Sequence, residues 1–336
     1  MTVLVTGCAG FIGMHCAKRL LERGEEVLGI DNLAPYYSVE LKRDRLTQLE
    51  VAKGFSFEKL DLTDAVALEG VIARAKPAFV LHLGAQPGVR YALENPASYI
   101  QANLVGFANV LEACRRHSPK HLVYASSSSV YGGNARLPWA EFDNVDHPLS
   151  LYAATKKSNE LMAHAYSHLF GMPTTGLRYF TVYGPWGRPD MSPILFARAI
   201  MDDTPIQVFN HGDMQRDFTY IDDVVEATLS VLGKPASPNP AFDATAPDPA
   251  TSSAPWRIYN IGNHQPVALL DYIAALESAL GKKAKKQMRP MQKGDVKATY
   301  ADTSAIGASA GFAPSTPLEK GLSQFSSWFK RYYGFD

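Results

Sequence analysis

From the N-terminus, short runs that are apolar at nearly every position alternate with stretches in which apolar residues recur at helical spacing. Val3-Leu4-Val5, Val27-Leu28-Gly29-Ile30, Phe79-Val80-Leu81 and Leu122-Val123-Tyr124 are the clearest runs, with Phe55-Ser56-Phe57 a further strand. Continuous apolar runs suit strands covered on both faces, the environment of a parallel sheet. Between them the period predicts helices over 12–23, 65–75 and 99–117. Repeated strand–helix units of this kind build an α/β fold, a Rossmann-type doubly wound parallel sheet.

Past about residue 185 the pattern is less regular. Helices are expected near 193–201, 223–232 and 269–280, with a short strand over Ile206-Gln207-Val208-Phe209. The reading is a sheet domain over 1–185 and a smaller α/β lobe over 186–336, with elements exchanged between them and a cleft at their junction. Residues 235–255, rich in Pro, Ala, Ser, Thr and Asp without an apolar period, predict an exposed loop that carries no chemistry. Phe325, Trp328, Phe329, Tyr332 and Tyr333 recur at helical spacing and read as a core-facing stripe.

A chain of 336 residues exceeds the size at which single cores stop growing, which agrees with two lobes. Lys plus Arg and Asp plus Glu balance at 33 each, so there is no net field for nucleic acid or anionic lipid, and any anion site is local. Cys8, Cys16 and Cys114 are odd in number and lack metal-type spacing, which points to buried thiols in a reducing compartment. No metal-binding histidine pattern, bilayer-length apolar segment or signal-peptide start is present, so the protein is expected to be cytoplasmic and free of a catalytic metal.

Thr6-Gly7-Cys8-Ala9-Gly10-Phe11-Ile12-Gly13 follows the first strand and opens a helix. In that context Gly7 allows a tight turn, Gly10 a close approach of backbone to a pyrophosphate, and Gly13 close helix packing, with the helix N-terminus aimed at the phosphates. Asp31 ends the second strand about 20 residues on, where a carboxylate accepts from a ribose diol and repels a 2'-phosphate, so NAD is expected over NADP. Asn32 lies beside it, Asp61 and Leu62 fall near the adenine, and Thr63 is available to cap the next helix.

Tyr152 and Lys156 stand i,i+4 on a helix expected from Ala153 onward, so both project from one face. A neighbouring ammonium favours the phenolate and lowers the tyrosine pKa, which makes it a usable base. Upstream, Ser126-Ser127-Ser128-Ser129 places hydroxyls at the C-terminal end of a strand, where doubly wound folds bind ligands.

The glycine loop, Ser127 ahead of Val130-Tyr131-Gly132, and Tyr152-xxx-Lys156 together resemble the extended short-chain dehydrogenase/reductases that process nucleotide sugars, across essentially the whole chain. The resemblance implies Tyr152 as acid/base, Lys156 as its electrostatic partner, Ser127 as the hydroxyl that positions the sugar oxygen, and Ser126, Tyr152 and Lys156 at the cofactor, Lys156 on the nicotinamide ribose hydroxyls. It further implies that Leu83, Ala85 and Gln86 pass beneath the nicotinamide diphosphate, that Asn103 faces the cofactor, and that Tyr179 and Val182 lie beside it. His82 reads as a satisfied strand-end ring.

Relatives that dehydrate the sugar resemble one another in an Asp-Glu pair where this chain has Ser128 and Ser129, and decarboxylating relatives have a Glu at the second place. Epimerisation at C4 through a transient 4-keto sugar is what remains. Gly88-Val89-Arg90-Tyr91, the segment from Leu177 to Met191 and that from Arg216 to Asp223 resemble the UDP-glucuronate 4-epimerases. By that resemblance Arg90 and Arg188 meet anionic groups, Arg188, Thr181 and Ser129 hold the sugar carboxylate, Arg216 meets the diphosphate, and Asp295 the nucleotide ribose. Gln292 stands where many hexose epimerases have a diphosphate arginine, and Lys293 or Arg216 is left to supply the charge. The alternatives are a UDP-glucose or UDP-N-acetylglucosamine 4-epimerase, a UDP-glucuronate decarboxylase, and an NAD-sensing regulatory protein. The resemblance also implies a homodimer packed through the 99–117 and Tyr152 helices, with Leu161, Ala165 and Leu169 on one stripe.

Overall fold

The structure, a computed structural model, describes residues 1–291 and 296–335. The strands in chain order are β1 (Thr2–Thr6), β2 (Glu26–Asp31), β3 (Phe55–Lys59), β4 (Phe79–His82), β5 (His121–Ser127), β6 (Thr174–Tyr179), β7 (Thr181–Tyr183), β8 (Pro205–Val208), β9 (Gln215–Tyr220), β10 (Trp256–Ile261), β11 (Pro266–Ala268) and β12 (Lys285–Met288). The helices are α1 (Phe11–Glu22), α2 (Val39–Glu50), α3 (Ala65–Ala75), α4 (Pro96–Tyr99), α5 (Gly106–His117), α6 (Leu151–Phe170), α7 (Ser192–Met201), α8 (Ile221–Leu232), α9 (Leu269–Leu280), α10 (Ser304–Ala310) and α11 (Leu318–Tyr333).

Seven strands form one parallel sheet in the order β10-β6-β5-β4-β1-β2-β3. Its apolar runs split by the two-residue strand period: Val3, Val5 and Val123 face a core with α1 and α8, whereas Leu4, Leu122 and Tyr124 face one built on α3, α5 and α6. Both faces are therefore covered, which is why the central strands β1, β4 and β5 carry continuous apolar runs. The strand order reverses beside β1 and β4, and all the C-terminal strand ends there open onto one edge. β10 comes from beyond residue 250 and closes this sheet, while β7, β9 and β11 form a second small sheet and β8 pairs β12.

The expected helix over 99–117 is divided. Pro96–Tyr99 is capped by Asn95, a π-helical stretch covers Ile100–Val105, and α5 begins at Gly106. The Asn159 side chain donates to the Asn103 carbonyl at 2.6 Å, taking an acceptor that a regular helix would use within its own ladder. The Tyr152 helix begins at Leu151, where the Ser150 hydroxyl accepts from the Ala153 N–H, and stops at left-handed Gly171. Residues 235–255 carry no helix or strand, held by Asp and Asn side chains on local N–H groups, with Ser252 buried against His164 at 2.8 Å.

The C-terminal stripe divides in two. Phe325 and Phe329 enter the core, while Trp328 and Tyr332 pack on Trp186 at 5.5 and 5.2 Å, beneath the loop that leads to Arg188. Cys8, Cys16 and Cys114 are buried free thiols, and no helix among the described residues is long and apolar enough to cross a membrane.

Candidate active site

A cavity of about 590 Å³ runs along the C-terminal edge of the sheet. Gly7, Gly10, Phe11, Ile12, Gly13, Asp31, Asn32, Asp61 and Leu62 line one end. Leu83, Ala85 and Gln86 line its middle, and Ser126, Ser127, Ser128, Ser129, Tyr152, Lys156, Tyr179, Thr181, Val182 and Arg188 the other end. The volume lies within the ordinary range of small-molecule sites. β5 and β2 are three strand spacings apart, so roughly 14 Å separates the serine end from the Asp31 end, a span suited to an extended dinucleotide.

The glycine loop is shaped for close approach. Gly7 sits at φ +73°, and a Cβ there would lie 2.7 Å from the Gly84 nitrogen; a Cβ on Gly13 would lie 2.1 Å from the Gly7 oxygen. Gly13 thus seats the first helical turn on the loop itself. Asp31 accepts from the Ala9 N–H at 3.2 Å and the Leu33 N–H at 2.8 Å, which fixes its carboxylate at the rim. Asp61 accepts from Asn32 at 2.8 Å and from both the N–H and hydroxyl of Thr63; burial opposes its charge, but these bonds hold its pKa low. Thr63 is not the helix cap, because its hydroxyl turns back to Asp61 and Asp64 caps α3. These residues fit NAD: the glycines pack the loop tightly against the start of the helix, whose N-terminus faces the cavity, and the anion at the far end suits a ribose diol.

At the other end, β5 carries Ser126 and Ser127 out of the sheet. The Ser126 hydroxyl points inward and donates to Glu160 at 2.6 Å, and Glu160 is gripped by Arg178 through two bonds of 2.9 Å. Ser127 Oγ accepts from the Ser129 N–H and donates to Ser129 Oγ, both at 3.2 Å. Tyr152, Lys156 and Glu160 stand at i, i+4 and i+8 of α6, which is what aligns this row beneath β5.

The groups that act on Tyr152 lie outside its own helix. Burial raises the Tyr152 phenol above its ordinary pKa, and the groups that oppose this are the Arg188 charge and the Ser127 hydroxyl. The Lys156 ammonium donates instead to the Ala125 carbonyl at 2.9 Å, and burial lowers its pKa to about 8. Helical spacing brings the two residues to one face, and each then meets groups of other segments.

Three further expectations change place. Asn103 does not line the cavity: its amide accepts from the Gln86 N–H at 2.8 Å and donates to the Gln86 carbonyl and Thr155, so it pins the 83–88 loop from behind. Arg90 is exposed, with its guanidinium over Phe209 at 5.7 Å, and Arg216 hydrogen-bonds the Gln215 and Lys297 carbonyls; neither lines the cavity. Asp295, Gln292 and Lys293 lie outside the described residues. His82 is buried, bonded to Thr6 at 2.8 Å and stacked on Phe107, and burial first and then Lys156 lower its pKa to about 3, which keeps it neutral.

Sequence reasoning missed Tyr36, Tyr37 and Lys42, which line the cavity, and Arg45 behind them. Arg45 is fully buried and bonds the carbonyls of Ala9, Trp186 and Gly187, tying the glycine loop to the segment before Arg188. Lys42 donates to the Ala34 carbonyl at 2.9 Å.

The site can therefore hold a dinucleotide along the strand ends and present a phenol, a row of hydroxyls and one guanidinium to whatever lies at its inner end. The only carboxylates among the lining residues, Asp31 and Asp61, stand at the opposite end.

Comparison with known proteins agrees with this geometry. Residues 3–262 match the model of the NAD dependent epimerase/dehydratase family. Protein CapI of Staphylococcus aureus is 51% identical over 333 residues, 99% of each chain. A probable UDP-glucuronate 4-epimerase of Rhizobium meliloti (strain 1021) is 47% identical over 337 residues, 99% of this chain and 98% of its own. The crystal structure of the UDP-glucuronic acid 4-epimerase from Bacillus cereus, in complex with UDP-glucuronic acid and NAD, superposes with a TM-score of 0.86 at 32% identity, covering 99% of this chain and all of that one. Fold, site and sequence thus converge, and the chain belongs to the NAD dependent epimerase/dehydratase family.

Proposed function

We propose that this protein interconverts UDP-glucuronate and UDP-galacturonate by inverting C4 of the sugar, with NAD as a cofactor regenerated in each turnover. The observation that carries this reading is the inner end of the cavity: Arg188 brings a guanidinium there, close enough for its charge to act on Tyr152, and no lining carboxylate accompanies it. A guanidinium among hydroxyls suits a sugar carboxylate, whereas elimination or C5 deprotonation needs an acid or base that this end lacks. The names of the Rhizobium and Bacillus relatives support the same substrate.

In this mechanism NAD, held along the glycine loop and Asp31, would supply the acceptor for the C4 hydride and its donor to the opposite face of the sugar. Tyr152 takes the O4 proton in the first half-reaction and gives it back in the second, while Ser127 holds that oxygen. Lys156, anchored on Ala125, binds the nicotinamide ribose. Ser128, Ser129, Thr181 and Arg188 hold the uronate carboxylate of the 4-keto intermediate, a β-keto acid, so that it keeps its CO2. Arg90 and Arg216 serve the nucleotide from outside the cofactor cavity, Arg216 at the diphosphate.

The test is proton NMR of the purified protein with NAD and UDP-glucuronate. UDP-galacturonate is the expected product. A UDP-pentose in its place makes the protein a decarboxylase, and inversion of UDP-glucose with UDP-glucuronate untouched makes it a hexose epimerase.

We also propose a homodimer in a reducing, cytoplasmic setting. On α6, Leu161 and Leu169 are 59% and 68% exposed with Ala165 exposed between them, and Ile100 and Val105 show further apolar surface. Leu161→Glu with Leu169→Glu is expected to yield monomers in analytical ultracentrifugation, and a dimer that survives both changes refutes this face.

A further inference from the structure

Arg188 is not alone in its loop. The turn Arg188-Pro189-Asp190-Met191 is closed by the Met191 N–H on the Arg188 carbonyl at 3.2 Å, and Pro189 presets the first central φ. The turn brings the Asp190 carboxylate back onto the arginine that precedes it by two residues. Arg188 Nε donates to Asp190 Oδ1 at 3.1 Å and Nη2 to Oδ2 at 2.5 Å.

A guanidinium has two edges that can take a carboxylate side by side, Nε with Nη2 and Nη1 with Nη2. Asp190 covers the first. On the second, no hydrogen bond to Nη1 is formed among the described residues, and Arg188 lines the cavity while Asp190 does not. Asp190 is held in turn by the Tyr36 hydroxyl, which donates to Oδ2 at 3.0 Å from the loop between β2 and α2. Just before Arg188, the carbonyls of Trp186 and Gly187 are fixed by Arg45. Backbone and side chain of Arg188 are thus both clamped, the backbone through Arg45 and the guanidinium through Asp190.

We propose that Asp190, braced by Tyr36, is a positioning residue that locks Arg188 by its Nε edge, presents the Nη1/Nη2 edge to the sugar carboxylate, and so limits loss of CO2 from the 4-keto uronate. This rests on the reading of the substrate as a uronate. The chemistry behind it is general. When a 4-keto uronate decarboxylates, the C5–C6 bond breaks, its electron pair enters the C4 carbonyl as an enolate, CO2 leaves, and C5 later takes a proton from water. That flow requires the C5–C6 bond to stand out of the carbonyl plane. A two-point grip by an arginine that cannot swing keeps the bond near the plane and the negative charge on the carboxylate.

The experiment compares wild type, Asp190→Asn and Tyr36→Phe, each with NAD, on UDP-glucuronate labelled with 13C at C6. UDP-galacturonate, UDP-pentose and 13CO2 are followed by NMR. For Asp190→Asn, loss of the charged bonds is expected to raise the share of turnovers ending in CO2 at least about tenfold and KM by about tenfold, with a smaller fall in kcat and NAD binding unchanged. Tyr36→Phe, which removes one hydroxyl, is expected to move the partition the same way by a smaller factor, and it decides the matter if the Asn variant does not fold. Unchanged partition in both variants overturns the clamp, as does a lower KM in Asp190→Asn, which would make Asp190 a competitor of the substrate carboxylate. A wild type that inverts UDP-glucose and ignores UDP-glucuronate removes the uronate reading and the clamp together, so the two failures are told apart.

Discussion

Glu141 offers a sharp test of the energetics beneath the site. Its carboxylate is buried, accepts the Asn260 N–H at 2.8 Å, and belongs to the small core where Tyr131 bonds Asn260 and stacks on Trp139. Burial is the largest influence on it and raises its pKa to about 7 from an ordinary value of 4.5, against the pull of the Asn260 N–H and Arg178. The folded protein therefore binds a proton between these values that the unfolded chain has released. Glu141 contributes its full stability below about pH 4.5 and loses it as pH rises through about 7. The difference of about 2.5 pH units corresponds to about 3 kcal/mol by pH 8. Glu141→Gln resembles the protonated acid and keeps the acceptor, so it escapes this loss. Urea unfolding of both proteins from pH 4.5 to 8.5 should give similar stabilities at the acid end and a variant more stable by about 3 kcal/mol at the alkaline end. A constant offset between the two curves is harmless to the reasoning. A difference that does not grow with pH refutes it.

Two further outcomes follow from the site. Tyr152→Phe removes the hydroxyl proposed here as acid/base and keeps the ring, so kcat should fall by about 10²- to 10⁴-fold in a coupled epimerase assay while the NAD affinity measured by calorimetry changes far less. Glu160→Gln leaves Arg178 buried without its counter-charge and should cost about 3 to 5 kcal/mol in urea unfolding, with part of the loss recovered when Arg178→Met is added; a single variant as stable as wild type would show that the pair contributes nothing.

What the sequence made legible is what local physics determines. The strands of the first half, the glycine loop with Asp31, and the Tyr152 helix announce themselves through period, turn chemistry and chain-local spacing. α2 escaped notice because its inward face includes Lys42 and Arg45, polar in sequence yet buried with their cations on backbone carbonyls. A signal was present: Leu41, Arg45 and Leu49 stand at i, i+4 and i+8, and counting Arg45 as an inward residue completes the stripe. The anchor points of Asn103 and Lys156 were hidden for another reason. Spacing gives the face from which a side chain leaves, but not which carbonyl or amide it meets across the fold, and Gln86 and Ala125 reach these two from other segments.

The layout of the cavity explains how one fold keeps its cofactor while its chemistry is set separately. Asp31 and Asp61 sit at the ends of β2 and β3, roughly 14 to 19 Å from β5 by strand count, so no change at the inner end alters what they recognise. The outcome at the sugar is then decided by a handful of side chains after β5 and β7, and chiefly by which of them is a carboxylate. Asp190 is close to that end, yet it cannot serve as acid or base there. Burial disfavours its charge, but Arg188 and Tyr36 hold its pKa low and engage both its oxygens. The same bonds that restrain the arginine therefore keep the Asp190 carboxylate out of the chemistry, which favours hydride return to the keto sugar over elimination.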